Sequence, residues 1–546
     1  MNTILNNLRE KLNNIFAKFD IDESVQISIS KITDFDIQIN NLVKYKNHKS
    51  IEEIKNHLLK ELDKSEYFSS VEFSDKLFIN LKFNLINLAK NIDNSKKDFA
   101  VNKREKLILD YGGPNIGKPL HVGHLRSLNI GRSLYNMNKF IGNEVKSDIH
   151  LGDWGMPIAQ IITYIEKNNL DIQTLKVSDL ESIYPLSSKE YLNDEKFQEK
   201  AKEINKKLNT DDDETISKWK IIKDISLEEI KKNLSELGHS FDYWFGESDV
   251  NSLIPDMLEN LIEEDKVEYD ESALVSKENI EPKVLITKSD GSYLYITTDL
   301  ATIIYREKHI PFDKIFYIVD SRQSLHFRQL FSSAKYFEFN NLNFEHVGFG
   351  TLNDENGNPF KTREGGTKPL IELFSETYKY IYKINQNLED KTIKQLTNTV
   401  LTYSDLLTNR KTNYKFDLKK FTNISGKTGI YIQYAQVRAK NLFQIANINN
   451  SLELSDEIGK IESELLSKIF LFGYYLERSI EMSEPHHLAD YLYELSNLFN
   501  IFYEDEKILN IENKKIKNSK LYITKLFLET CHNVMFCLGV EPVNEM

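Results

Sequence analysis

Cysteine is nearly absent from this chain, and its scarcity excludes several classes of protein. The 546 residues include two cysteines, Cys531 and Cys537, which are too few for a disulfide framework. They do not form a Cys-x-x-Cys pair, so a zinc ribbon or zinc finger is excluded as well. Two thiols in a chain of this length are typical of a reducing compartment, and we expect a cytoplasmic protein.

Long apolar runs are also missing. No uninterrupted stretch approaches the roughly 20 residues that a membrane-spanning helix needs. The first residues mix both charge signs and lack the apolar centre of a signal peptide. We therefore expect no membrane partner.

An excess of positive charge is missing too. The 70 lysines and arginines are outnumbered by 83 aspartates and glutamates, which gives a net charge of −13 at pH 7. This balance argues against a basic coat that binds nucleic acid over the whole surface, so an RNA partner would have to meet local basic patches. The length of 546 residues predicts several domains and at least one substantial core.

The most informative stretch that is present combines a strand, a turn and the start of a helix. An apolar segment at 107–109 predicts the strand, three glycines and one proline follow within 110–118, and apolar residues from Leu125 onward recur at helical spacing. His121 and His124 stand at the start of this helix. A helix start offers unpaired N–H groups and a partial positive charge, and doubly wound sheets use this geometry to hold nucleotide phosphates.

The residues alone exclude a P-loop in this stretch and leave three other interpretations open. Residues 112–118 fit the first part of a P-loop, but Pro119 stands where that loop needs a serine or threonine hydroxyl. His121 and His124 share a helix face and could bind a metal, although zinc would need further ligands. They could merely cap or pack the helix. They could also donate hydrogen bonds to phosphates, while Gly123 lets adenine lie against the backbone.

Six segments in one order resemble motifs of a known family. The first resembles the HIGH signature of class I aminoacyl-tRNA synthetases, and its flanks are similar specifically to those of arginyl-tRNA synthetases. The match extends over most of the chain, and a chance match to all six segments is very unlikely. The segments are PNIGKPLHVGH at 114–124, DIHLGDWG at 148–155, YLYITTDLA at 293–301, DSRQ at 320–323, FKTREGG at 360–366 and YIQYA at 431–435.

Three blocks follow one another along the chain. Residues 1–90 combine a helical start with short alternating apolar stretches, which predicts a small α+β domain, and a polar run at 91–97 predicts a linker. Residues 95–415 alternate strand-like and helical segments, as in a parallel sheet, and are interrupted at about 168–270 by a charged, mostly helical insertion. Residues 416–546 are almost wholly helical.

The resemblance implies a function for each block. It implies an α/β protein in which a class I Rossmann-like catalytic domain with its insertion lies between an N-terminal domain that contacts tRNA and an all-α bundle that binds the anticodon. Spacing of three and four predicts one buried helix face in the bundle. This face comprises Leu488, Tyr491, Leu492, Leu495, Leu498, Phe499 and Phe502. We expect six basic residues on the surface, where they either face RNA or are merely solvated. They are Arg438, Lys440, Lys514, Lys515, Lys517 and Lys520.

The resemblance also implies which residues bind ATP. His121 and His124 would place hydrogen bonds and positive charge at the phosphates, and Lys118 would add a full charge beside them. Gly117 and Gly123 belong to the same ATP site. The family needs no covalent enzyme intermediate, so the protein has to supply alignment and electrostatic stabilisation.

A second phosphate-binding loop departs from the general class I pattern. Most class I enzymes carry Lys-Met-Ser-Lys-Ser, whereas this chain has Lys361, Thr362 and Arg363 followed by Glu-Gly-Gly. The glycines suit a mobile loop that closes over ATP. Lys361 and Arg363 are the candidate catalytic residues of this loop, and Lys118 is expected to compensate for the missing second lysine.

Selection of arginine requires carboxylates that accept the fork of a planar guanidinium. Asp299 stands in an aromatic and apolar context, where an unpaired carboxylate is costly. The alternative is a structural role for Asp299, as the N-cap of a helix that starts at Leu300. The resemblance assigns Tyr295, Asp299 and Gln323 to one arginine pocket. It also places Asn115 at the amino or carboxylate end of the substrate, and Glu247 is the candidate for a second carboxylate.

The resemblance therefore implies ATP-dependent ligation of L-arginine to tRNA(Arg) through an arginyl-adenylate, with release of pyrophosphate and AMP. It implies Mg²⁺ bound with ATP, a monomer, and an adenylate that forms only when tRNA is bound. One alternative is a class I enzyme for another amino acid, or a nucleotidyltransferase that needs no tRNA. Another is a catalytically silent tRNA-binding protein derived from a synthetase.

Overall fold

The computed structural model describes most of the chain. The described residues are 2–63, 65–91, 104–277, 284–289, 291–339, 343–354, 356–358, 360, 368–446, 452–505 and 507–546. The expected linker at 91–97 lies outside them except for Asn91, and so does the loop with Lys361 and Arg363. Within the described residues, no helix is both long and apolar enough to cross a membrane.

Strands and helices are numbered in chain order. The strands are β1 (Ile27–Ile29), β2 (Ile37–Ile39), β3 (Phe68–Phe73), β4 (Ile79–Phe83), β5 (Lys106–Tyr111), β6 (Glu144–Asp148), β7 (Val267–Asp270), β8 (Ala273–Ser276), β9 (Leu285–Thr287), β10 (Lys314–Ile318), β11 (Asn343–His346), β12 (Leu352–Asn353) and β13 (Tyr414–Lys415). The helices are α1 (Asn2–Ala17), α2 (Ile51–Asp63), α3 (Leu85–Asn91), α4 (His124–Phe140), α5 (Met156–Lys167), α6 (Val177–Asn193), α7 (Glu195–Asn209), α8 (Asp213–Glu236), α9 (Glu247–Val250), α10 (Ile254–Glu263), α11 (Tyr295–His309), α12 (Ser324–Tyr336), α13 (Leu370–Ile384), α14 (Asp390–Leu406), α15 (Leu418–Phe421), α16 (Gly429–Ala446), α17 (Lys460–Phe470), α18 (Phe472–Glu481), α19 (His486–Asp505) and α20 (Lys514–Leu538).

An antiparallel sheet with helices forms the N-terminal unit. Its four strands have the order β1-β2-β4-β3. Ile37 and Ile39 on β2 are buried opposite Leu81 and Ile79 on β4, so the alternating apolar residues face one core. Helix α2 covers this side with three buried residues, spaced by four. The expected α+β unit is confirmed.

A four-stranded parallel sheet positions the functional site. Its order is β11-β10-β5-β6, so the chain moves outward from β5 to β6 and then crosses to β10 on the other side of β5. Ligands bind in the crevice at the carboxyl ends of the strands where the order reverses in this way. Here that crevice lies between the ends of β5 and β10. The strand at 107–109 and the helix that follows it are both as expected.

The insertion is helical over α6, α7 and α8 and then returns to the sheet. It packs with α5 around a separate apolar core that includes Ile161, Ile183 and Ile204. Beyond α8, the chain pairs alongside β6, with parallel bridges of Asp148 to Tyr243 and of Leu151 to Gly246. The predicted insertion therefore contains a segment that extends the sheet edge, just before α9.

The C-terminal part of the chain is a helical bundle, as expected. The predicted buried face on α19 is correct, because all its members except half-buried Leu498 have no exposed surface. Helix α14 precedes the expected boundary at 416, yet it packs against α16, α19 and α20 as well as α4. The expectation that Lys520 lies on the surface is wrong, because its side chain is buried and forms an ion pair of 2.8 Å with Glu462.

Candidate active site

A cavity of about 460 Å³ opens at the carboxyl ends of β5 and β10. Gly112 and Gly113 leave β5 with φ of +95° and +51°, a region that glycine enters without strain. The turn therefore reverses the chain within a few residues of Asp110. Other lining residues include His121, Val122, Gly123, His124, Arg126, Ser127, Val319, Asp320, Gln323, Gly350 and Phe360.

The two histidines lie side by side in this cavity, with ring centroids 3.9 Å apart. The Gly123 N–H donates to His121 Nδ1 at 3.1 Å, and the His121 N–H donates to His124 Nδ1 at 3.0 Å. His121 Nδ1 accepts the hydrogen bond from Gly123, which favours the tautomer with the ring proton on Nε2. His124 Nδ1 also lies 3.2 Å from the His121 carbonyl oxygen, so it can either accept from the N–H or donate to the carbonyl. The His121 imidazole is thereby prepared to donate from Nε2.

Burial and nearby positive charge favour the neutral form of both histidines. Burial and the nearby Lys118 lower the pKa of His121, and burial followed by the charges of His121 and Lys118 lowers the pKa of His124 to about 3. The expectation that the histidines bring positive charge is therefore wrong for the free enzyme near pH 7. They offer hydrogen bonds. The full positive charges that line this cavity belong to Arg126 and Arg322, each paired with an aspartate, while Lys118 lies near both histidines and lines a second cavity.

Glycines around the histidines have packing roles that the sequence did not reveal. A Cβ on Gly123 would lie 2.8 Å from two atoms of the His121 ring, so the glycine makes room for that imidazole. Gly117 has φ of +77°, and its N–H donates to Ser226 Oγ on α8 at 2.9 Å. Lys118 Nζ lies 4.1 Å from the centroid of the Tyr184 ring on α6. The insertion thus contacts the turn that precedes α4.

Arg126 is a residue of this site that sequence reasoning missed. It is buried on α4, and its Nε donates to Asp405 Oδ1 on α14 at 2.9 Å. Its Nη1 donates to the carbonyls of Gly350 at 2.9 Å and Thr412 at 2.7 Å. Gly350 is a wall of the cavity, so Arg126 connects that wall to the helical bundle.

A second cavity of about 550 Å³ brings together three of the five residues expected to bind arginine. Asn115, Glu247 and Tyr295 all line it, from the turn before α4, the start of α9 and the start of α11. Gly152 allows the backbone contact at Asn115, because a Cβ there would overlap Asn115 Oδ1. Lys118, Trp154, Tyr184, Tyr191 and Tyr293 are among the other lining residues.

Asp299 lies one helical turn after Tyr295 on α11. The helix begins at Tyr295, so the alternative that Asp299 caps a helix is wrong. Its Oδ2 lies 2.6 Å from His326 Nε2. Its negative charge raises the pKa of both Glu247 and Tyr295, which places the three groups in one electrostatic environment.

Glu247 is a largely buried carboxyl whose surroundings are negative. Burial, and then the charges of Asp153 and Asp299, raise its pKa to about 8. Among the described residues, no lysine, arginine or histidine forms an ion pair with it. A buried carboxyl of this kind lacks a cation, and a guanidinium would supply one.

The structure separates Gln323 from this group. Gln323 ends a short turn that starts at Ser321, and it lines the first cavity rather than the second. Its neighbour Asp320 pairs with Arg322 at 2.8 Å. Lys361 and Arg363 lie outside the described residues, whereas Phe360 just before them lines the first cavity.

A buried charge network at the carboxyl ends of β5 and β6 was also missed. Arg306 on α11 lies 2.6 Å from Asp110 on β5 and 2.6 Å from Asp148 on β6. Burial raises the pKa of Asp110, and the arginine opposes that shift. The network fixes α11 against the sheet, and α11 carries Tyr295 and Asp299. The acidic residue at the carboxyl end of each strand was the only sequence signal.

Class I aminoacyl-tRNA synthetases have this combination of a parallel sheet, its switch-point crevice and paired histidines at a helix start. Residues 87–418 match the family model described as tRNA synthetases class I (R), catalytic domain. Residues 2–83 match the arginyl tRNA synthetase N terminal domain, and residues 432–546 match the DALR anticodon binding domain.

Relatives and solved structures agree with these models. An arginine–tRNA ligase of Agathobacter rectalis is 35% identical over 526 residues, which covers 87% of this chain and 88% of the relative. One from Francisella tularensis subsp. novicida is 33% identical, with 86% of each chain covered. The arginyl-tRNA synthetase of Plasmodium falciparum superposes with a TM-score of 0.83 at 25% identity, over 100% of this chain and 99% of that one. The Thermus thermophilus enzyme shares the fold, with a TM-score of 0.84 at 17% identity over 99% and 100% of the two chains. The chain belongs to the arginyl-tRNA synthetase family.

Proposed function

We propose that this enzyme ligates L-arginine to tRNA(Arg), using ATP to form an arginyl-adenylate first. The arginine carboxylate attacks the α-phosphorus of ATP and pyrophosphate leaves. The terminal ribose hydroxyl of the tRNA then attacks the carbonyl carbon of the adenylate, and AMP leaves. The observation that carries this proposal is the largely buried Glu247 carboxyl, which has no ion-pair partner among the described residues, in a cavity beside one that holds two neutral imidazoles.

Arginine occupies the second cavity. Its guanidinium lies between Glu247 and Asp299, where two carboxylates share its donors, and Tyr295 provides a flat surface or a hydroxyl acceptor. Asn115, at the end of this cavity nearest the turn before α4, binds the amino or carboxylate end. Gln323, on the wall of the first cavity, contacts the part of the substrate that extends toward ATP.

ATP occupies the first cavity. Nε2 of His121 and Nε2 of His124 donate to phosphate oxygens, and Lys118 supplies the positive charge that the neutral imidazoles lack. Gly117 and Gly123 allow the backbone to approach the nucleotide. Lys361 and Arg363 close over the pyrophosphate.

Mg²⁺ arrives with ATP and is bound by its phosphates. The two carboxylates that line the first cavity are already paired, Asp110 with Arg306 and Asp320 with Arg322. The described residues of this cavity therefore offer the ion no unpaired carboxylate. When bound with ATP, the ion would supply neutralisation of phosphate charge.

The outer parts of the chain contact tRNA. Residues 1–90 form the domain that meets the outer part of the tRNA, residues 95–415 form the catalytic domain, and residues 416–546 form the bundle that binds the anticodon. The net charge of −13 means that these contacts use local basic patches. The enzyme works as a cytoplasmic monomer.

The direct test is tRNA charging with radiolabelled arginine, run beside lysine and glutamine. We expect arginine to be attached and the other two to be rejected, because only arginine places a planar fork between two carboxylates. Charging with another amino acid would indicate a different class I enzyme. Tight tRNA binding with no charging of any amino acid would indicate a silent tRNA-binding protein.

A further inference from the structure

A fully buried carboxylate lies just outside the arginine cavity. Asp153, in the turn after β6, has no exposed side-chain surface. Its Oδ1 accepts the backbone N–H of Ser248 at 2.9 Å, and its Oδ2 accepts the Ser248 hydroxyl at 2.7 Å. Lys223 Nζ on α8 lies 2.6 Å from Oδ2 and donates to Ser248 Oγ at 3.0 Å. The Asp153 carboxylate, the Ser248 hydroxyl and the Lys223 ammonium group thus form a triangle in which each group contacts the other two.

This triangle contacts the chain on both sides of Glu247. Ser248 follows Glu247 directly and is bonded to Asp153 through two groups. Gly246 precedes Glu247, and a Cβ on it would lie 2.6 Å from both oxygens of Asp153. Helix α9 is a single turn of four residues, which has little stability of its own. The position of Glu247 therefore depends on the bonds that Asp153 forms with Ser248 and Lys223.

Helix α8 of the insertion supplies the other side of the triangle. Besides the ion pair from Lys223, the indole N–H of Trp219 donates to the Asp153 carbonyl at 2.7 Å. Lys223 Nζ also lies 5.0 Å from the centroid of the Trp219 ring. One helix thus fixes both the side chain and the backbone of Asp153.

We propose that Asp153 and Lys223 are positioning residues for arginine recognition: together they hold α9 so that Glu247 enters the second cavity, and they set the charge beside that carboxyl. Neither side chain has to touch the substrate. The inference rests on the proposed function, because it assigns a role to the support of an arginine-binding residue.

The charged and titratable groups around Glu247 come from several elements. Lys118 lies in the turn before α4, Lys288 follows β9, Tyr184 and Tyr191 belong to α6, and Tyr295 and Asp299 belong to α11. The negative charges of Asp299 and Asp153 act on Glu247 directly, and each raises the pKa of Glu247. Because Lys223 neutralises Asp153, the two members of the pair should affect Glu247 in opposite directions.

The test compares Asp153→Asn, Lys223→Met and Ser248→Ala in arginine charging over about pH 6.5 to about pH 9. All three should raise KM for arginine by roughly tenfold and change kcat by less than about twofold, since the lost interaction supports substrate binding. The midpoint of the rise in kcat/KM with pH should fall by about one unit in Asp153→Asn and should not fall in Lys223→Met. Lys218→Met is the matched control, because Lys218 lies on the same helix but pairs with Glu166 and Glu214.

Equal midpoints in Asp153→Asn and Lys223→Met, or an unchanged KM in both, would overturn the inference. Thermal unfolding of each variant shows whether it is folded, and Ser248→Ala, which loses only one hydroxyl, carries the KM test if the buried-charge variants unfold. Failure of the proposed function looks different. In that case the unaltered enzyme itself would not charge tRNA with arginine.

Discussion

Arg306 Nη2 lies 2.6 Å from Asp148 Oδ2 at the carboxyl end of β6, and neither side chain has exposed surface. The same nitrogen lies 2.6 Å from Asp110 on the neighbouring strand. One guanidinium thus compensates two carboxylates from adjacent strands. Its helix, α11, also carries Tyr295 and Asp299, so the network that stabilises the sheet also fixes the helix that lines part of the second cavity.

Arg306→Met should destabilise the protein by about 3–5 kcal/mol, because it removes the guanidinium that pairs with two buried carboxylates. Urea unfolding at neutral pH measures the loss. Lys200→Met removes an exposed pair with Glu203 and should cost less than about 1 kcal/mol. Equal losses in the two variants would contradict the assigned importance of the buried network.

Arginine binding should strengthen as the pH rises toward 8. The pKa of Glu247 is raised to about 8 in the free enzyme, so the carboxyl is protonated below that pH and must lose its proton to pair with a guanidinium. We expect kcat/KM for arginine to rise up to about tenfold per pH unit below about pH 8 and then level off. Steady-state charging over this range measures the slope. In Glu247→Gln the slope should disappear, and a retained slope would assign it to another group.

His124→Asn should lower kcat for charging by about 10²–10³-fold, because it removes a preorganised donor from the phosphates. Filter binding of tRNA should be nearly unchanged. The pKa of His124 is about 3, so its protonation should not contribute to the pH profile between about pH 6 and about pH 9. His309→Asn, at an exposed position on α11, is the matched control. Full activity of the His124 variant would contradict the role given to this histidine.

Arginine-dependent exchange of pyrophosphate into ATP should be weak without tRNA and should increase when tRNA is added. The reason is the expected requirement for bound tRNA before the adenylate forms. The measurement is incorporation of labelled pyrophosphate into ATP with and without tRNA(Arg), and the control omits arginine. Equal rates in the presence and absence of tRNA would refute the expectation.

Local sequence predicted those parts of the site that lie on one continuous segment. The strand at 107–109, the turn after it and the histidines at the start of α4 are neighbours in the chain, so spacing alone placed them together. Periodicity predicted the buried face of α19 for the same reason. The family resemblance then added Asn115, Glu247 and Tyr295, which the structure brings to one cavity although they are far apart in sequence.

Relationships between distant segments could not be predicted. No pattern in the sequence shows that Asp153 binds Ser248 or that Arg126 reaches Asp405, because each pairing depends on how whole elements pack. The placement of Gln323 in the first cavity follows from the turn at the end of β10. The low pKa of His124 depends on its burial, which residue type does not reveal.

The pairing of Arg126 with Asp405 joins the first cavity to the helical bundle through a short series of hydrogen bonds. Tyr403, on the same helix as Asp405, donates from its hydroxyl to the Ala489 carbonyl of α19 at 2.9 Å. Arg126 extends this series to the Gly350 carbonyl. Through α14, the start of α19 is therefore bonded to the Gly350 wall of the first cavity, so a shift of the bundle against that wall has to stretch or break one of these bonds.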